Sequence, residues 1–200
     1  DQPQEHVYNN DAGTLMDRNL GATSAEPNIY SVGLMYQWGR KDPFAENRFT
    51  SANTQLSLTE SIQLPTTYAT GSDEWAKNWD RNFWSTSQKT IYDPCPVGYR
   101  VPDMDVWYGF SVDGENANRV TGMNVSGAFD MGFNFIYDGT NTTWYPATSL
   151  VEYWGYFSWY TDRGRLWSSQ NGGGGSSQIL NYYYGSTFEA ELHIKDHWEG

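Results

Sequence analysis

"IYDPCPVGYRVPDMDVW", Ile91 to Trp107, holds the only cysteine of the chain, Cys95, between Pro94 and Pro96. Proline fixes φ on either side of the thiol, and Gly98 adds a turn residue, so the stretch reads as a fixed corner. After "RVP" its character changes: Asp103 or Asp105 can cap a short helix carrying Val106, Trp107 and Phe110, which "DGENAN" (113–118) then ends. A cysteine in such a corner has four roles open to it: nucleophile, metal ligand, buried filler or half of a disulfide. The flanking prolines favour structure, and no His or Lys adjoins it in sequence to lower its pKa.

Outward from that corner, 200 residues are enough for one domain with a sizeable core, and residues 1–200 are read as a single domain. Large aliphatics are scarce, but ten Trp and fifteen Tyr replace them. Aromatic side chains bury much area while keeping a polar tip hydrogen-bonded, so an aromatic-rich interior follows. Twelve Lys and Arg against 24 Asp and Glu leave no electrostatic footprint for nucleic acid, and anionic membrane surfaces would repel the chain. No apolar run approaches the roughly 18 residues of a membrane span. The richness in Gly, Asn, Ser, Thr and Tyr is that of exported, surface-exposed proteins.

Short strands separated by Gly, Asn and Pro turns dominate the rest. "GLMYQWG" (33–39), "FNFIYDG" (133–139), "RLWSS" (165–169), "QILNYYYG" (178–185) and "FEAELHI" (188–194) are the predicted strands; the last alternates Phe188, Ala190, Leu192 and Ile194 with Glu189, Glu191 and His193. A second helix is predicted at "SDEWAKNW", where Ser72 or Asp73 caps and Trp75 and Trp79 lie four apart. Residues 45–90 and 110–130 otherwise show little regular patterning. "NGGGGSSQ" (171–178) reads as a flexible loop tip.

Several strings offer chemistry. His193, His197 and Glu199 of "HIKDHWE" could hold zinc or iron, but only from one side of a helix, and the alternation up to Ile194 says strand. "DGENAN" and "DGTN" (138–141) offer oxygen ligands for calcium, although Asp-Gly is also the commonest tight turn. Glu26, Pro27 and Asn28 resemble a lectin calcium tripeptide, without its partner sequence at a usable distance. No G-x-S-x-G elbow, P-loop or dinucleotide fingerprint occurs. The aromatic run "YWGYFSWYTDRGRLW" (153–167) differs in kind, holding too many aromatics for one strand to hide. It reads either as core, Trp167 in particular, or as a stacking platform for sugar rings or a protein partner, with Asp162, Arg163 and Arg165 supplying hydrogen bonds.

Five segments in order, "TLMDRNLGATS" (14–24), "GLMYQWGRKDPF" (33–44), Ile91–Trp107, "WYPATS" (144–149) and "GRLWSSQ" (164–170), resemble the domain first named as the major paralogous domain of Fibrobacter succinogenes. That domain is abundant in surface and fimbria-associated proteins of Bacteroidetes. The resemblance implies an α+β, C-type lectin-like fold related to the formylglycine-generating enzyme, with small antiparallel sheets, about two helices and long irregular loops. It implies that Trp38, Arg40, Pro94, Cys95, Pro96, Arg100, Pro102 and Trp167 hold the fold. The enzyme's cysteine pair near its C-terminal end has no counterpart here, so no catalysis is expected. Family members finish with a strand like G-x-x-V-R-C-V, whose cysteine is the usual partner of Cys95. The present chain reaches Gly200 where that strand would begin, so the resemblance implies a missing final strand and an open edge beside "FEAELHI".

The expected function is a non-enzymatic, lectin-like or adhesin-type binding module on a bacterial surface, with a glycan or surface protein as ligand. Trp154, Tyr156, Trp159, Tyr160, Asp162, Arg163, Asn171, Tyr182 and Tyr184 are the expected contacts, because they combine aromatic faces with directional polar groups. No cofactor is expected beyond a possible role for calcium. A structural subunit of a fimbrial or outer-membrane assembly and a retroelement-diversified receptor-binding protein are the alternatives.

Overall fold

The computed structural model describes residues 5–8, 13–44, 49–71, 74–78, 80–108, 120–124, 132–138, 141–147, 150–151, 155, 157–158, 163–173, 176–184 and 188–196. Within them the architecture is α+β, with two short helices and small separate sheets. β1 (Glu5–Tyr8) and β2 (Gly13–Met16) form an antiparallel pair. β5 (Val120–Asn124), β6 (Gly132–Asp138) and β7 (Asn141–Pro146) form a three-stranded antiparallel sheet, so "FNFIYDG" is strand as far as Asp138, which pairs with Asn141; Gly139 and Thr140 of "DGTN" lie outside the described residues. β8 (Leu150–Val151) pairs with β9 (Phe157–Ser158).

The second three-stranded sheet runs in the order β10 (Arg163–Gly173), β11 (Ser176–Tyr184), β12 (Phe188–Asp196). β10 continues to Gly173 and β11 starts at Ser176, so most of the stretch expected as a loop tip is strand. Buried serines make this possible: Ser177 Oγ donates to Gln170 O at 2.6 Å, and Ser168 Oγ donates to Gln178 O at 2.8 Å, tying the two strands across a register shift. β12 is extended to Asp196, which rules out a helical His193–His197 pair; His197 and Glu199 lie outside the described residues. Among the described residues β12 is paired on one side only, with β11.

Two expectations fail between residues 33 and 79. "GLMYQWG" is no strand: it makes one antiparallel bridge, Met35 to Phe44, and its ends turn at Gly33 and Gly39, whose φ of 79° and 81° lie in the left-handed region. The helix expected at "SDEWAKNW" does not form across its described part. Leu56 N–H donates to Trp75 O at 2.7 Å and Lys77 N–H to Leu56 O at 2.8 Å, making a parallel bridge with Trp75 and Ala76 both buried. Ser72, Asp73 and Trp79 lie outside the described residues.

The second helix is instead α1 (Leu58–Gln63), opened by a capping box: Ser57 Oγ accepts the Glu60 N–H, and Glu60 Oε2 accepts the Ser57 N–H at 2.7 Å. α1 is the crossover between β3 (Thr50–Ala52) and β4 (Thr67–Ala69), which pair parallel and so depart from the expected all-antiparallel sheets. α2 (Met104–Tyr108) forms where expected, just after Asp103; Phe110 lies outside the described residues.

The core is aromatic. Trp38, Trp75, Phe83 and Trp84 are buried together with Leu56 and Val101. Trp75 stacks on Phe83 at 5.3 Å, and Trp38 tilts against Trp84 at 5.5 Å. Each of five indole N–H groups finds a backbone carbonyl: Trp75 donates to Trp38 O (2.8 Å), Trp38 to Ser168 O (2.9 Å), Trp167 to Tyr36 O (2.9 Å), Trp107 to Trp167 O (3.0 Å) and Trp84 to Tyr92 O (3.1 Å). Trp38 and Trp167 thus lace residues 36–38 and 167–168 in both directions. Such polar tips let large rings be buried without stranding a donor.

Candidate ligand-binding cleft

The Ile91–Trp107 corner is organised by Asp93, which is 1% exposed. Its Oδ1 accepts the Cys95 N–H at 2.9 Å and Lys89 Nζ at 2.9 Å; its Oδ2 accepts the Val101 N–H at 2.8 Å. Lys89 Nζ also donates to Cys95 O at 2.6 Å. Between these anchors, Tyr99 N–H bonds Pro96 O at 3.0 Å across a turn whose third residue, Gly98, has φ of 91° as a type II turn needs. Pro102 O then accepts the Ser169 N–H at 2.7 Å, docking the corner on β10.

Arg40 does the same for α1. Only 2% exposed, it donates to Thr67 O at 2.5 Å and to Ser61 O and Leu64 O at 3.3 Å each, covering carbonyls at the end of the helix. Its guanidinium lies over the rings of Phe44 (5.1 Å) and Trp75 (5.4 Å). Burial lowers its pKa to about 10, which leaves it charged at neutral pH. Arg40 and Trp38 are therefore placed in the frame. Arg100, paired with Asp103 at 3.1 Å, and the half-buried Trp167 stand at the edge of an opening in it.

That opening is a cleft of about 640 Å³. Leu15, Met16, Leu20, Ile29, Val32 and Leu34 supply its aliphatic lining, with Leu34 N–H bonded to Leu20 O at 2.9 Å. Its depth reaches core side chains, among them Phe44, Trp84, Trp107 and Ile179. Arg165, Leu166 and Trp167 bring β10 to it, and Pro94, Cys95 and Tyr99 to Pro102 bring the corner. All five sequence segments that carry the family resemblance contribute lining residues. At the mouth, Ile29 (46%), Tyr30 (67%) and Leu34 (37%) are exposed apolar side chains.

Cys95 is a free, half-buried thiol packed against the tryptophan cluster. Burial first, then the adjacent Asp93 carboxylate, push its pKa up to about 12, so the thiol stays protonated at neutral pH. Tyr36 beside it is likewise raised to about 12, chiefly by burial. Among the described residues no group of three His, Cys, Asp or Glu side chains is placed to hold a metal ion. The Asp113–Asn118 string lies outside them. Asn28, of the lectin-like tripeptide, instead caps a 3-10 turn (Ile29–Ser31) through its side chain.

The expected contact residues are only partly brought together. Trp154, Tyr156, Trp159, Tyr160 and Asp162 lie outside the described residues. Arg163 begins β10 and Asn171 sits near its far end, eight residues on. At about 3.3 Å per residue they are roughly 26 Å apart and share no site. Tyr184 ends β11 opposite Phe188. Tyr182 is a correction: it is fully buried, its hydroxyl donates to Pro146 O at 2.9 Å, and its ring packs on Gly164, where a Cβ would come within 2.2 Å. Its pKa is raised by that burial, and it cannot face a ligand. The cleft residues that sequence reasoning left out, Leu15, Met16, Leu20 and Arg18, sit in a quoted motif, "TLMDRNLGATS", whose apolar spacing fits neither a helix nor a strand.

No family model, curated protein or solved structure matches the chain. Among the described residues no helix is long and apolar enough to cross a membrane.

Proposed function

We propose that the chain is a non-enzymatic binding module, C-type lectin-like in fold and displayed on the exterior of a bacterial cell, that seats its ligand in the central cleft. The cleft itself carries this reading. Its 640 Å³ falls within the range of small-ligand sites, its lining is largely apolar with a few convergent polar groups, and its depth is framed by core residues. The surface location rests on the family resemblance. Cys95, the nucleophile type lining the cleft, is held as a thiol, which supports binding over catalysis. This reading takes as ligand site the walls built by residues 14–36, 94–107 and 165–167; of the residues expected from the sequence, Trp154, Tyr156, Trp159, Tyr160 and Asp162 lie outside the described residues.

The test is titration with the uncharged apolar fluorophore N-phenyl-1-naphthylamine, read by energy transfer from Trp84, Trp107 and Trp167, all of which line the cleft. Saturable, one-to-one binding that is lost when Thr23→Trp obstructs the mouth is the expected result. A linear, unsaturable signal, or binding indifferent to Thr23→Trp, would sink the reading. A subunit of a fimbrial or outer-membrane assembly is the second reading, favoured by the one-sided pairing of β12 among the described residues. It calls for concentration-dependent self-association in sedimentation velocity, abolished by a proline in β12; a monomer at all concentrations counts against it.

A further inference from the structure

Charge in the cleft runs against charge in the chain. The protein carries 24 acidic and 12 basic residues, yet among the described residues the charged ones that line the cleft are Arg18, Arg100 and Arg165, with no Asp or Glu beside them. The counter-ions stand behind. Asp17, 4% exposed, takes Arg18 Nε at 2.8 Å and Nη2 at 2.9 Å; Asp103 takes Arg100 Nη2 at 3.1 Å, while Arg100 Nη1 goes to Val101 O at 3.2 Å. A guanidinium has five N–H donors in a planar fork. These bonds commit two on each of Arg18 and Arg100, so both retain donors with which to meet a further acceptor, and their acids fix them in place.

The body of the ligand is set by the remaining walls. Leu15, Met16, Leu20, Val32, Leu34 and Ile179 give the lining an aliphatic part with no side-chain N–H or O–H, while Thr14, Asn19, Thr23 and Tyr30 supply polar groups elsewhere in it. Against the aliphatic part a hydrocarbon gains by every methylene it buries, whereas each sugar hydroxyl left unpaired there costs about 1–3 kcal/mol. An ammonium headgroup would gain no hydrogen bond from the guanidinium groups, which donate only.

Resting on the reading of the cleft as the ligand site, we propose that its ligand is an anionic amphiphile: an apolar body held by the apolar walls, with a carboxylate met by the arginines. A medium-chain fatty acid is the simplest member of that class. Arg18 and Arg100 stay charged while paired with Asp17 and Asp103, so their remaining N–H groups make charge-assisted hydrogen bonds, which an anionic oxygen accepts better than a neutral one.

The experiment displaces bound N-phenyl-1-naphthylamine from the wild-type protein with dodecanoate, dodecanol and dodecylamine, each below its aggregation concentration. Dodecanoate is expected to displace the probe at least about tenfold more effectively than dodecanol, the worth of one charge-assisted hydrogen bond, and dodecylamine least of all. Arg18→Met and Arg100→Met should each shrink the dodecanoate advantage several-fold and leave dodecanol unchanged, with circular dichroism confirming the fold. The ligand series on the wild type stands even where a variant fails to fold. Equal displacement by dodecanol and dodecanoate overturns the anion assignment while leaving the cleft as a binding site; failure of the probe itself to bind overturns both.

Discussion

Replacing Asp93 tests whether one buried carboxylate holds the corner that lines the cleft. Its side chain is fully covered and accepts two backbone N–H groups, from Cys95 and Val101, besides Lys89 Nζ. In Asp93→Ala both amides lose their acceptor inside the protein, at roughly 1–3 kcal/mol each, while Lys89, one-third exposed, can turn to solvent. The sum is about 2–6 kcal/mol, which for a chain of this length lowers Tm by roughly 4–24 °C. Asp93→Asn keeps one acceptor oxygen, so it can satisfy the Cys95 side or the Val101 side but not both, and about half that loss is expected. Urea unfolding followed by tryptophan fluorescence measures both, with Trp84, bonded to Tyr92 O beside the corner, as a reporter. A loss below about 1 kcal/mol in Asp93→Ala would show that the prolines alone fix the corner and that the account given of Asp93 is wrong.

Three further outcomes follow from the geometry. Ser57→Ala removes the capping box of α1 and should cost about 1 kcal/mol, with Ser57→Asp retaining most of the stability. Gly164→Ala drives a Cβ to within 2.2 Å of the Tyr182 ring and should destabilise by more than about 2 kcal/mol; adding Tyr182→Phe should not restore it, because ring carbons as well as the hydroxyl are struck. With Cys95 and Tyr36 both raised to about 12, the folded state keeps protons that the unfolded chain loses above its ordinary thiol and phenol values of 9.0 and 10.0. Stability is therefore full below about pH 9 and falls as pH climbs toward 12, and Cys95→Ala should remove part of that slope. In the same protein at pH 8, iodoacetamide should alkylate native Cys95 far more slowly than the urea-unfolded chain; equal rates would contradict the protonated thiol.

The elements legible in the sequence are those whose pattern is local. β6, β10, β11 and β12 stand out in period-two or aromatic runs, and α2 in its cap after proline. α1 has a local signal too, since Ser57-x-x-Glu60 is a capping box, but the box stands in a segment whose lack of periodicity hides it. The Trp75–Trp79 spacing misleads for the opposite reason: a four-residue interval between aromatics is helical only if the intervening chain is free to coil, and here tertiary bonds to Leu56 hold it extended. Of the site, composition could not have revealed the cleft, because its walls come from five segments joined only by folding. Tyr182 shows the related error: a run of tyrosines along a strand sends alternate rings to opposite faces, and which face is inside depends on the partner strand.

The two-way indole lacing between residues 36–38 and 167–168 spans 130 and 131 positions of chain. Bonds of that separation reward the chain only after most of its loop-closure entropy has been spent, a topology that folds in milliseconds to seconds rather than microseconds. During synthesis the ring cluster around Trp38 and Trp84 has no β10 against which to close until the strand at 163–173 has emerged. The aromatic core thus matures late and all at once, its rings without their carbonyls until the last third of the chain is in place.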